Sequence, residues 1–130
     1  MIERIEKRIR QFNEENLHIQ VRHRFSENKQ KLLILYLKGY LDTRNSHFFT
    51  RMFEDLGDLK RVTDSIVVDC LEIDYISSTG IGSFTMILIN CRKQGVELYL
   101  SRVRNKVKDV LSLLGFTSFF TFLDDPEGLG

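Results

Sequence analysis

The sequence contains very little proline or cysteine, no excess of charge of either sign and no long apolar run. Its single proline, Pro126, excludes a proline-rich linker, and two cysteines, Cys70 and Cys91, favour reduced apolar side chains over a disulfide or a metal site. Because 19 basic residues balance 18 acidic ones, the total charge does not point to nucleic acid or to a membrane surface. No apolar run approaches the roughly 18 residues of a membrane-spanning helix, and the charged N-terminus is unlike a secretory signal. We therefore expect a cytoplasmic protein.

The hydrophobic pattern predicts a leading hairpin followed by alternating helices and strands. Apolar spacing indicates strands over residues 18–25, 31–38, 65–70 and 96–101, and helices over about residues 48–56, 78–94 and 103–114. Strands that alternate with helices are usually parallel and joined by right-handed crossovers. The predicted fold is therefore α/β, a small mixed sheet with helices packed on it, in one domain over residues 17–125 with a short tail at 126–130.

An amphipathic helix is predicted over residues 1–16. Ile2, Ile5, Ile9 and Phe12 recur at helical spacing among charges. The same spacing fits two heptads, which leaves a homodimer through this helix as an alternative. Since two heptads are too few to associate alone, we expect the helix to pack on its own domain.

Three consecutive hydroxyl residues, Ser77, Ser78 and Thr79, stand between a buried strand and a helix. Residues 66–68 are β-branched and apolar, an acidic spacer follows, and Gly80 and Gly82 come directly after the hydroxyls. Backbone N–H groups are unsatisfied at a helix start, where negative charge is stabilised. A phosphate could bind there or be carried covalently by a serine, and the plainer alternative is helix capping.

The helix that begins at Ser78 is predicted to have two apolar flanks. At 100° per residue, one flank collects the core residues Ile81, Phe84, Leu88 and Cys91, and the other collects Gly82, Met86, Ile89 and Lys93 below Ser78 and Thr79. The second flank is either covered by a neighbouring helix or exposed as a protein-binding surface.

The remaining polar residues are expected to be structural. Asp42 should cap the next helix, with a partner contact as the alternative. Asp69, Glu72 and Asp74 are expected to be solvated loop charges, and His23 a bonded, half-buried side chain. A solvated basic face is expected for Arg102, Arg104, Lys106 and Lys108, with a contact to an acidic partner or a phosphate as the alternative. No nucleophile–base pair or phosphate-binding loop is present, so we expect no catalytic residue, no bound metal and no cofactor.

Three segments, in order, resemble the STAS domains of bacterial anti-sigma factor antagonists. I-S-S-T-G-I-G of residues 76–82 resembles the family's D-S-S/T-G-[LI]-G, with Ser77 in place of the aspartate. G-Y-L-D of residues 39–42 resembles the G-x-L-D after its second strand, and L-G-F of residues 114–116 resembles the segment that closes its last long helix. The resemblance covers residues 17–125.

The resemblance implies a phosphorylation-controlled binding protein without enzymatic activity. The unmodified form would bind an anti-sigma factor that is also a serine kinase, freeing a sigma factor and so regulating transcription. Phosphorylation of Ser78 (alternatives Thr79 and Ser77) would release it, and a serine phosphatase would restore it. The implied binding surface comprises Asp42, Ser77, Ser78, Thr79, Gly80, Gly82, Met86 and Ile89. Two other functions stay open: an unmodified STAS-like adaptor in a signalling or transport assembly, and a domain that binds a small ligand or nucleotide at the helix start.

Overall fold

The computed structural model describes Glu3, residues 6–9 and residues 16–129, which form a mixed sheet with helices. Within them the strands lie in the order β1-β2-β3-β4-β5, with β1 antiparallel to β2 and the other neighbours parallel. The elements are β1 (Leu17–Phe25), β2 (Lys31–Leu41), α1 (Thr43–Asp55), β3 (Ser65–Ile76), α2 (Ser78–Gln94), β4 (Glu97–Ser101), α3 (Asn105–Leu113) and β5 (Thr121–Leu123), with short 3-10 turns at Leu59–Arg61 and Thr117–Phe119. The predicted fold class is confirmed.

The main core lies between the sheet and its helices. Phe49 of α1 contacts Phe53 and, across to α2, Phe84, with ring centroids 5.5 and 6.3 Å apart. From the sheet, alternate residues such as Leu33, Leu35, Ile66 and Val68 complete this core. This packing fixes α1 and α2 over β2 and β3 and so sets the position of the start of α2.

The C-terminal residues 124–129 cover part of the opposite face of the sheet. Glu127 binds Arg22 at 2.7 Å and Arg24 at 3.3 Å, and these arginines lie directly opposite Ile34 and Leu32 on the neighbouring strand. Leu32 and Ile34 have no solvent exposure, and Pro126 is buried as well. The predicted tail at 126–130 is thus, as far as residue 129, part of the packed molecule.

The second strand is longer than predicted. The apolar pattern ends it at residue 38, but β2 continues through Leu41 into the G-Y-L-D segment of residues 39–42. Gly39 makes this possible with a φ of 116°, and a Cβ there would lie 2.2 Å from the Asn16 carbonyl oxygen. The strand shifts register at this glycine and continues, because glycine tolerates both the dihedral angle and the close approach.

Two further strand predictions are corrected. β3 runs to Ile76, so the acidic spacer is strand rather than loop. The phenylalanine-rich segment after α3 packs back on the body, with Phe120 buried, and it also contributes β5, which pairs with β4. The end of β3 and the whole of β5 were not predicted, because exposed side chains or short length hide a period of two.

The N-terminal helix is described in part. Glu3 and residues 6–9 are helical, Ile9 is fully buried in the main core, and Arg8 binds Asp55 of α1 at 2.7 Å. These contacts agree with packing on the domain. Ile2, Ile5 and Phe12 lie outside the described residues, and the homodimer stays a prediction.

Candidate functional site

The ends of β2 and β3 bring two helix starts side by side. Asp42 follows β2 and begins α1, while Ser77 follows β3 and begins α2. The Ser77 N–H donates to the Leu41 carbonyl oxygen at 2.9 Å, which ties the two starts together. Neighbouring parallel strands end at the same edge of a sheet, so their following helices present their N-termini together.

Ser77 is the N-cap of α2. Its Oγ accepts a hydrogen bond from the Gly80 N–H at 3.0 Å, and its backbone is extended with φ −87° and ψ 170°. Serine and aspartate cap helices about equally well. The serine that replaces the aspartate of the resembled motif therefore preserves the cap while removing a carboxylate.

Ser78 and Thr79 occupy the first turn of α2 and are exposed to solvent. At 100° per residue, Ser78 lies about 20° from Ile89 around the helix axis and Thr79 about 20° from Met86. The two hydroxyls therefore stand at the head of one stripe on the helix surface. A group attached to either oxygen would meet water and not the core.

The two glycines of the motif differ in what surrounds them. A Cβ on buried Gly80 would lie 2.7 Å from the Leu41 carbonyl oxygen and 2.8 Å from Cγ1 of Ile76, so this position packs the helix start onto both strands. A Cβ on Gly82 would meet nothing within 4 Å. Gly80 is therefore needed by the fold, and Gly82 is not.

The second flank of α2 is open. Met86 is 52% exposed and Ile89 41% exposed, whereas Ile81, Phe84, Leu88 and Cys91 are buried as predicted. Between this flank and α1 lies a cleft of about 310 Å³, lined by Thr50, Phe53, Glu54, Met86, Ile87, Ile89, Asn90 and Lys93. Sequence analysis missed the α1 wall, because apolar spacing within one helix does not identify its neighbour.

Asp42 has the capping role expected of it. Its Oδ1 accepts the N–H groups of Arg44 and Asn45, both at 2.9 Å, and Asn45 Oδ1 accepts the Asp42 N–H at 2.9 Å. This reciprocal arrangement satisfies backbone donors at the start of α1.

The expected solvation of Asp69 is wrong, while Arg102 and Arg104 keep contact with solvent but also make structural hydrogen bonds. Asp69 is buried and accepts hydrogen bonds from Ser101 Oγ at 2.8 Å and from Arg102 Nε and Nη2 at 2.9 and 2.8 Å. These hydrogen bonds raise the pKa of Arg102. Arg104 donates to the Ile73 carbonyl oxygen at 2.6 Å. Both arginines join structural elements, because the folded chain brings them to acceptors about 30 residues away.

Three other side chains were missed or misjudged. Tyr40 and Tyr75, which are partners across β2 and β3, form an exposed edge-to-face pair with ring centroids 6.4 Å apart, two residues before each helix cap. Only register, which the sequence does not display, brings them together. His23 is half-buried as expected, but its buried Nε2 has no hydrogen-bond partner among the residues that the structure describes.

Neither cysteine is an activated nucleophile. Burial raises the pKa of the Cys91 thiol to about 12 and that of Cys70 still higher, which leaves both thiols protonated near neutral pH. Within residues 3, 6–9 and 16–129, no group of three or more His, Cys, Asp or Glu side chains is placed to hold a metal ion. No helix in this part of the chain is long and apolar enough to cross a membrane.

Comparison with known proteins assigns a family and several related structures. Residues 20–127 match the model of the STAS domain family. A Thermotoga maritima protein described as an anti-sigma factor antagonist has a TM-score of 0.61 at 20% identity, covering 81% of this chain and 86% of its own. A sulfate transporter family protein of Wolinella succinogenes has a TM-score of 0.62 at 17% identity, covering 75% and 81%.

The anti-sigma factor antagonist SpoIIAA also has this fold in two forms. Its unphosphorylated form has a TM-score of 0.60 at 13% identity, covering 82% of this chain and 88% of that one. The phosphorylated form from Bacillus has a TM-score of 0.56 at 11% identity, covering 82% and 95%. At these identities the likeness is one of fold.

Proposed function

The chain belongs to the STAS domain family, and we propose that it is an anti-sigma factor antagonist switched by phosphorylation at the start of α2. In its unmodified form it binds an anti-sigma factor with serine kinase activity. The kinase phosphorylates Ser78, or Thr79 as the alternative, and the complex then separates. A serine phosphatase returns the protein to the binding form.

One observation carries the proposal: the candidate hydroxyls are exposed at the head of an open apolar surface. Ser78 and Thr79 are accessible to a kinase, and Met86 and Ile89 below them are left uncovered by the described chain. Exposed apolar groups beside a modifiable hydroxyl are typical of a regulated protein interface. The fold shared with SpoIIAA, which exists in phosphorylated and unphosphorylated forms, supports the same function.

Phosphorylation at this position changes binding more than folding. A phosphate adds about −1.5 to −2 charges, which the N–H groups and dipole of a helix start tolerate. A partner that buries Met86 and Ile89 would have to remove water from the new anion or supply cations for it. Affinity therefore falls while the domain stays folded.

The serine in place of the family's aspartate bears on which hydroxyl is modified. Ser77 is itself an acceptor candidate, but its Oγ is half-buried and already accepts the Gly80 N–H. The cap of α2 does not use the hydroxyl of Ser78 or of Thr79. We therefore place Ser78 first, Thr79 second and Ser77 last.

The test joins a kinase assay to a binding measurement. Each anti-sigma factor with a serine-kinase domain encoded in the same genome is purified, incubated with the protein and ATP, and the peptide spanning Ser77, Ser78 and Thr79 is analysed by mass spectrometry. Phosphate is expected on Ser78, and Ser78→Ala abolishes it while the exposed control Ser112→Ala does not. Ser78→Asp weakens binding by tenfold or more, with an unchanged circular dichroism spectrum.

Phosphate that persists in Ser78→Ala but disappears in Thr79→Ala moves the switch to the alternative hydroxyl. If aspartate at whichever of Ser78 and Thr79 carries the phosphate binds as tightly as the unmodified protein, the release mechanism is contradicted. Absence of both phosphate and binding with every kinase contradicts the proposed function.

A second candidate is an unmodified STAS adaptor in a signalling or transport assembly. The similarity in fold to the Wolinella succinogenes sulfate transporter family protein favours it. It predicts a stable complex that neither requires ATP nor changes when Ser78 or Thr79 is replaced by aspartate.

A further inference from the structure

We infer that two copies of this chain associate through the cleft between α1 and α2, with Glu54 of each copy paired to Lys93 of the other. The inference goes beyond the proposed function, because the association requires neither a kinase nor a phosphate. It starts from the two charged residues that line the cleft, which are of opposite sign.

Each wall of the cleft carries one of these charges. Glu54 belongs to α1 and Lys93 to α2. Both residues are exposed, and neither forms an ion pair with another residue that the structure describes. A partner that covers the cleft is therefore complementary to it when it presents a basic group to α1 and an acidic group to α2.

A second copy of the chain supplies both groups. In an interface with two-fold symmetry the same surface occurs on both sides, so a contact between two different residues is made twice. A two-fold axis that runs along the cleft, parallel to the helices, sets α1 of one copy against α2 of the other. Glu54 of each copy then lies opposite Lys93 of the other. The cleft is thus complementary in charge to its own copy.

The positions of the two charges along the helices agree with this arrangement. α1 and α2 each connect parallel strands and so run in the same direction, and their starts are tied by the hydrogen bond between Ser77 and Leu41. At 1.5 Å per residue, Glu54 lies about 18 Å from the cap Asp42 and Lys93 about 24 Å from the cap Ser77. Both charges are therefore near the same end of the cleft, and the flexible lysine side chain can span the difference of about 6 Å.

Exposed apolar side chains lie beside the charges. Met86 and Ile89 are exposed on the α2 wall, and Phe53 lines the α1 wall. In the dimer the two apolar residues of α2 would contact α1 of the other copy. Their removal from water supplies an attraction that exposed ion pairs alone do not, and methionine adapts its shape to the surface it meets.

The size of this surface predicts a weak dimer. α1 has 13 residues and is about 20 Å long, and two neighbouring helices are together about 20 Å wide. Each copy therefore offers a flat area of about 400 Å², about half of the area that each partner contributes to a standard interface. We expect a reversible dimer with a dissociation constant of about 100 μM.

Charge reversal tests the pairing in the full chain without any kinase. Sedimentation velocity over concentrations that span about 100 μM should show the reversible dimer. Glu54→Lys and Lys93→Glu should each weaken association about tenfold or more, because like charges then meet twice. An equimolar mixture of the two variants should associate again, since one carries basic groups at both positions and the other acidic groups. The double variant should associate as the original chain does.

Matched controls lie on α3. Asp109→Lys and Lys106→Glu reverse exposed charges there and should leave the association unchanged. For the apolar part, Ile89→Ser should weaken association about threefold or more, whereas Leu113→Ser should not, although Leu113 is 86% exposed. Circular dichroism checks that each variant is folded.

The outcomes separate this inference from the proposed function. A chain that stays monomeric over the whole range contradicts the dimer, even if a kinase binds and the proposed function stands. Association that persists in both single variants, or a mixture of them that stays monomeric, shows that Glu54 and Lys93 do not pair, and the inference is wrong. A dimer with the expected charge dependence supports the inference even if no kinase binds.

Discussion

Ser77, Gly80 and Gly82 show how residues of one short motif act through different physical causes. Ser77 satisfies a backbone donor at the start of α2, Gly80 permits close packing on two strands, and Gly82 leaves open space. The motif in the sequence identifies all three positions but not these causes. The cause at each position depends on what the folded chain brings beside it.

At Ser77 the cap can be tested without disturbing the exposed hydroxyls. Ser77→Ala removes the acceptor for the Gly80 N–H and is expected to lower the free energy of unfolding by about 1 kcal/mol. Ser77→Asp restores the carboxylate of the family motif and should keep stability within a few tenths of a kcal/mol of the original. Urea denaturation measures both, and an Ala variant as stable as the original would show that the cap contributes nothing.

At the scale of elements, ends marked by local signals were predicted better than ends that depend on strand pairing. α2 was predicted with both of its ends, because its cap and its closing Gly95, with φ 72°, are encoded within a few residues. The end of β3 was placed six residues too early, since Glu72 and Asp74 are exposed on a strand whose register with β2 is irregular. β5 has three residues and depends on its partner β4. Strand limits follow from pairing, which a single sequence does not display.

A half-buried ion pair joins Asp69 of β3 to Arg102, which directly follows β4. Arg102→Ala would leave the buried Asp69 carboxylate without its cation, and we expect a loss of about 3 kcal/mol in the free energy of unfolding. Arg61→Ala is the matched control: Arg61 binds Asp58 at 3.2 Å with both side chains exposed, so its loss should cost at most about 1 kcal/mol. Chemical denaturation compares the two, and equal losses would contradict a special role for Asp69 and Arg102.

In the whole molecule, the sheet is covered on both faces by different means. Helices cover one face, and residues 124–129 cover part of the other, above Leu32 and Ile34. The surface ion pairs of Glu127 hold the segment against β1, but buried apolar area contributes more to stability than exposed charge does. We therefore expect the C-terminal segment to stabilise the protein mainly by shielding apolar side chains from water.

Truncation after Leu123 tests this covering role. Exposure of Leu32 and Ile34 should lower the free energy of unfolding by about 3 kcal/mol, seen as a lower melting temperature. Glu127→Gln weakens the ion pairs with Arg22 and Arg24 but leaves the cover in place, and it should cost less than about 1 kcal/mol. If the point variant is as unstable as the truncated chain, the ion pairs and not the covered surface hold this face.

The sequence by itself determined the fold class, the position of α2 and which residues form its second apolar flank, because helical periodicity and capping act between residues close in the chain. The tertiary structure decided the rest. The α1 wall of the cleft, the burial of Asp69 by Arg102, the pairing of Tyr40 with Tyr75 and the cover formed by residues 124–129 all join segments distant in sequence. Such contacts form only after the strands have paired, so no local sequence pattern predicts them.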